Sequence, residues 1–113
     1  MQEAQNPNHV KVTVDSAGNP VCEPHDLQVI GSDVELKFSL HADGYVFPKD
    51  GAVVIGETSP QFPTPSRTLP PHDTKATLFD RNTGPGEFTY TVKVQKVSTG
   101  ETRTVDPIIN NGP

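Results

Sequence analysis

The sequence predicts an all-β protein: one antiparallel sandwich of seven or eight short strands. Three observations carry that expectation. Apolar residues recur at every second position in several runs, the mark of strands with one buried and one wet face. No stretch sustains apolar spacing at i, i+3, i+4 and i+7, so long helices are not expected. Twelve prolines and nine glycines in 113 residues supply turns at sandwich spacing.

His9–Val14 alternates, with Val10, Val12 and Val14 on one side and Lys11 and Thr13 on the other. The run Asp15-Ser16-Ala17-Gly18-Asn19-Pro20 is a turn by composition. Residues 21–23 and 27–30 are short strand candidates separated by Pro24, which lacks a ladder donor and marks an edge, bulge or kink. The cleanest strand is 33–40, where Val34, Leu36, Phe38 and Leu40 oppose Asp33, Glu35, Lys37 and Ser39. Asp43-Gly44 and Asp50-Gly51 punctuate strands at 45–47 and 52–56, the second apolar on consecutive positions and so a candidate for burial on both faces. Residues 57–73 form one long irregular segment with five prolines, pinned by Phe62 and Leu69. A loop of that length in a compact domain tends to be functional or mobile. A strand at 74–79 and a turn from Asp80 to Gly86 lead into the final hairpin: 87–97, a turn at Ser98-Thr99-Gly100-Glu101, and 102–109. Phe88, Tyr90, Val92 and Val94 should face inward.

The length fits one domain, residues 1–113, with 1–8 expected to be flexible. The hydrophobic fraction of 32% is low, but it is concentrated in the alternating runs, which disorder does not produce. A net charge of −5 without a Lys/Arg cluster argues against nucleic acid or an anionic membrane as partner. MQEAQNPNHV has no positive n-region or apolar h-region, and the single cysteine, Cys22, excludes an internal disulfide; the expected address is cytoplasmic.

An aromatic entering the penultimate strand just after a glycine turn suits the tyrosine corner of immunoglobulin-like domains, with Tyr90 or Phe88 in that role. The immunoglobulin cysteine pair and core tryptophan are absent, so the expected sandwich is immunoglobulin-like in the broad sense. Two further spots carry a resemblance: Glu23-Pro24 in VCEP, and Asp106-Pro107 in VDPIINN, after the strand GEFTYTVKV. Together they resemble the DP-EP family of small bacterial proteins across essentially the whole chain. That resemblance implies an immunoglobulin-like sandwich without an established function, and it transfers no catalytic residues. Physically, each proline removes a backbone donor and extends the residue before it, so Glu23-Pro24 should interrupt a strand and Asp106-Pro107 should blunt the last one as an edge. Were those two strands neighbours, Glu23 and Asp106 would lie close enough to hold a cation or a ligand amine.

The remaining chemistry is sparse. Cys22 and His25, three apart, are the only candidate metal ligands at close spacing, and a structural zinc site wants four. GEFTYTV resembles a cupredoxin strand, but no Cys or His follows His72 and the only methionine is Met1, which removes a type-1 copper centre. Gly84-Pro85-Gly86 precedes a strand and is no phosphate loop. Pro60-Gln61-Phe62-Pro63 has PxxP spacing, and Tyr45, Phe47, Phe62 and Arg67 form a candidate binding surface. The function expected is therefore a non-catalytic binding module without a cofactor, meeting a protein or small ligand through the 57–73 loop or pairing as a homodimer through an edge strand. The alternative is a metal-dependent or thiol enzyme using Cys22, Glu23 and His25.

Overall fold

Alternation along the chain becomes two packed sheets in the computed structural model, which describes residues 8–56, 59–70 and 72–111. The strands are β1 (His9–Val14), β2 (Pro20–Glu23), β3 (Asp26–Gln28), β4 (Val34–Leu40), β5 (Tyr45–Val46), β6 (Val53–Ile55), β7 (Arg67–Leu69), β8 (Lys75–Asp80), β9 (Gly86–Lys96), β10 (Thr102–Val105) and β11 (Ile108–Asn111). One sheet has the order β2-β1-β4-β8-β7; the other runs β10-β9-β11-β3, with β5 and β6 also on β9. No helix among the described residues is long and apolar enough to cross a membrane.

The all-β sandwich is as expected, but the described residues form eleven strands, and β1–β4 and β3–β11 pair in parallel. Period-2 alternation reports one wet face; it carries no information on the direction of a neighbour. β7 went unread because Pro65 and Pro70 flank three residues that become a strand only through pairing with β8. Asp80 closes β8 instead of opening the next turn.

The core is the inward set of the alternating runs. Val10, Val12, Leu36, Phe38, Tyr90, Val92, Val94 and Ile109 are completely buried. Phe38 meets Tyr90 edge to face, ring centroids 5.8 Å apart. The run 52–55 is split: Ala52 and Val53 are buried, and Val54 is exposed on the outer face. Gly100, at φ +76°, makes the tight β9–β10 turn, its N–H reaching Lys96 O at 2.7 Å.

Two expectations need correction. The tyrosine corner does not form, because the buried Tyr90 hydroxyl has no hydrogen-bond partner. Of residues 1–8, Asn8 exchanges hydrogen bonds with Ile30 at 2.9 Å and 2.8 Å, and residues 1–7 lie outside the described residues. Asp106-Pro107 stops β10, which is terminal in its sheet, but it does not leave the last strand as an edge, since β11 lies between β9 and β3. The proline splits one expected strand into β10 and β11, and Tyr90 N–H to Pro107 O at 3.0 Å keeps β9 attached through the break.

The two sides of the sandwich are built differently. On one side the chain passes from β2 in the first sheet to β3 in the second through Glu23-Pro24, and β2 lies against β10, tied by Arg103 Nη1 to Asn19 Oδ1 at 3.1 Å. On the other side β7 edges one sheet and β6 the other, and among the described residues no strand joins them. Residues 59–66 cover that seam.

Candidate functional site

The seam contains a cleft of about 270 Å³ between β6 and the proline-rich loop. Its floor is core: Val53 and Leu78 are each 2% exposed. Its walls are Val54 and Ile55 on one side and Phe62, Pro63 and Pro65 on the other, with Ser59, Thr64 and Ser66 also lining it. Among the described residues no charged side chain lines it, in a chain of net charge −5.

The β6 backbone faces this cleft with open valences. Gly56 N–H bonds Thr89 O at 2.9 Å and Lys93 N–H bonds Ala52 O at 2.8 Å. With Val54 opposite Thr91 in that register, Val54 is the residue hydrogen-bonded to β9. Val53 and Ile55 consequently direct their N–H and C=O outward. Val53 N–H is met by Ser66 Oγ at 3.2 Å; the outward groups of Ile55 have no partner among the described residues.

The loop over the cleft is tethered from within the domain. Phe62 packs edge to face on Phe88 with centroids 5.1 Å apart. Arg81 N–H reaches Gln61 O at 2.8 Å, and the Gln61 carboxamide exchanges two bonds with Thr83, at 2.9 Å and 2.8 Å. Phe62 N–H closes a turn on Ser59 O at 3.1 Å, so Pro60-Gln61-Phe62-Pro63 is a turn and not an extended polyproline segment. Glu57, Thr58 and Pro71 of the expected 57–73 loop lie outside the described residues.

The sequence-predicted surface is only partly assembled. Phe47 is fully buried in the core and is withdrawn from it. Tyr45 and Phe62 are half buried and line different depressions, and Arg67 is exposed at the start of β7. The depression holding Tyr45, at one end of the sandwich, is polar, with Asp15, His41, Asp43 and Lys96 around it. There Asp15 Oδ1 already accepts Ala17 and Asn19 N–H groups at 2.9 Å, an ordinary turn arrangement.

The Cys22, Glu23, His25 trio does not converge. Cys22 faces the core, and burial pushes its thiol up to about 12, so it is protonated and a poor nucleophile. Glu23 and His25 are exposed, and His25 Nδ1 pairs with Asp26 Oδ1 at 3.0 Å. Among the described residues, no three His, Cys, Asp or Glu side chains are grouped to hold a metal ion.

The two X-Pro breaks do come side by side. Asp26 is opposite Ile108, and Ile108 N–H bonds His25 O at 2.9 Å. Their carboxylates nevertheless share no ligand-like partner. Asp106 Oδ1 accepts the Thr91 hydroxyl at 2.7 Å, and the Glu23 carboxylate has no hydrogen bond to a described residue.

Sequence reasoning missed the groups that matter most at the seam. Leu78 as a cleft floor and Ser66 as a cap on β6 depend on tertiary placement alone. Neither protein-family models nor curated proteins give a match to this chain.

Proposed function

We propose that the protein is a non-catalytic binding module that takes an extended, uncharged polypeptide segment along the outer edge of β6, with apolar side chains seated in the seam cleft. The observation that carries this is the outward Ile55 N–H and C=O, unmatched among the described residues, beside an apolar cleft whose described lining carries no charge. Strand addition supplies backbone hydrogen bonds for affinity, and a cleft beside the edge supplies side-chain selectivity. At about 270 Å³ the cleft is below the usual size of a drug-like ligand pocket, which favours side chains of a peptide over a free small molecule. The adjacency of Glu23-Pro24 and Asp106-Pro107, the two pairs that carry the resemblance to the DP-EP family, supports reading both as fold-defining breaks.

The test uses a random library of extended peptides and compares Ile55→Pro with Ile55→Ala. Proline removes only an outward donor at an edge, and alanine matches the side-chain loss. Selected peptides should bind Ile55→Pro about tenfold more weakly than Ile55→Ala, the worth of one good hydrogen bond. Affinity should be insensitive to salt. Equal affinity for the two variants would sink the strand-addition reading. If the segment belongs to a second copy of this chain, solution mass will rise with concentration in the wild type and not in Ile55→Pro.

A further inference from the structure

The end of β8 holds a polar pair that the cleft does not use. Asp80 is completely buried and Asn111, closing β11 in the other sheet, is 5% exposed. Asn111 Nδ2 donates to Asp80 Oδ1 at 3.0 Å, and Asn82 N–H donates to the same oxygen at 2.9 Å. Asp80 Oδ2 and Asn111 Oδ1 are both buried without a hydrogen-bond partner. Two acceptor-only oxygens left bare in one buried pair call for a donor, and leaving them unmet would be costly.

We propose that Asp80 is a proton-binding site: a neutral carboxylic acid whose Oδ2–H donates to Asn111 Oδ1, closing a two-bond acid–carboxamide pair that ties the two sheets together. One proton satisfies both bare oxygens, and the acid form keeps Oδ1 free to accept from Asn111 and Asn82. Burial raises the Asp80 carboxyl above its ordinary value, against the opposing pull of the Asn111 and Asn82 hydrogen bonds. No charge offsets that burial. Asp33 and Glu35 flank Val34, opposite Asp80 on β4; Arg81 follows it; Glu87 is opposite Asn110 on β9; Asp26 pairs with Ile108 on β3; all are exposed.

The location gives the proton a consequence. Asp80 fixes the start of the 81–83 segment, whose Arg81 and Thr83 backbone amides hold Gln61 in the loop over the seam. Ionisation places a buried charge at that anchor and should loosen the loop. The inference is independent of what occupies the cleft.

For an acid raised in the folded state, the stability it contributes is complete below the unfolded value and is lost as pH rises through the folded one. The experiment is urea unfolding against pH for wild type and Asp80→Asn, an isostere that offers Asn111 Oδ1 an N–H at every pH. The wild-type folding constant should fall relative to the variant by about tenfold per pH unit above the ordinary aspartate range, until the folded carboxyl itself ionises. Amide protection at Arg81 and Thr83 should fall with it in the wild type only. Parallel stability profiles for the two proteins would overturn the proposal. So would stability that rises with added calcium and drops with chelator, which would put a cation in place of the proton. Should Asp80→Asn not fold, infrared spectra of ¹³C-aspartate-labelled wild type titrated upward from acid pH decide, because an ordinary aspartate loses its protonated carboxyl band near its model value. A protonated carboxyl band that persists above the ordinary aspartate range supports the site, and loss of all such bands within that range overturns it.

Discussion

Replacing Tyr90 by phenylalanine should stabilise this protein. The Tyr90 ring is completely buried and its hydroxyl has no partner, while burial pushes its ionisation far above the ordinary tyrosine value. A buried donor without an acceptor costs roughly 1–3 kcal/mol. Phenylalanine removes that penalty and keeps the ring, including the edge-to-face contact with Phe38 at 5.8 Å. Against this stands the dispersion lost by one oxygen, a few tenths of a kcal/mol at about 0.1–0.2 kcal/mol per atom pair. The net expectation is a gain of about 1 kcal/mol. Urea unfolding reads it directly: with a slope near 2 kcal/mol/M, the midpoint rises by about 0.5 M at unchanged slope. A loss of about 1 kcal/mol or more would refute the reasoning. It would mean that the hydroxyl does find an acceptor, as in a true tyrosine corner.

Two other predictions concern the core and the loop. Cys22 should react with a thiol reagent more than about a hundredfold more slowly in the native protein than in the unfolded chain, since a group pushed up to about 12 is almost wholly protonated near neutrality; native labelling at the unfolded rate would contradict its buried place in β2. Phe62→Ala should cost about 1–2 kcal/mol through loss of the Phe88 contact and of half-buried apolar surface. It should also raise amide exchange across residues 59–66, and an unchanged exchange pattern there would show that the loop is held without it.

Most of the sheet content was legible because solvent on one face imposes period 2 on the chain. Residues 34–40 and 88–94 announce their inward side chains, and Pro24 announces a break. What the break does was not legible: Glu23-Pro24 carries the chain from one sheet to the other, and that depends on which edges are vacant. Parallel pairing of β1 with β4 was hidden for the same reason. Phe47 shows the limit of composition arguments, since an aromatic beside a turn is equally a candidate for a binding surface and is here core. Asp80, by contrast, was within reach of the sequence. It continues the inward parity of Ala76 and Leu78, opposite Val34, and an acid on a buried face is a signal in itself. The seam cleft had no such signal, because its floor, edge and roof come from β8, β6 and a loop that only the fold assembles.

The most direct test of the binding reading is amide exchange at Ile55 with and without a peptide selected from the extended library. The account predicts that Ile55 N–H, without a partner among the described residues, becomes protected on binding, while Val54 N–H, already bonded to β9, changes little. Protection or shift changes confined to the Tyr45 and Lys96 end of the sandwich, with Ile55 untouched, would contradict it.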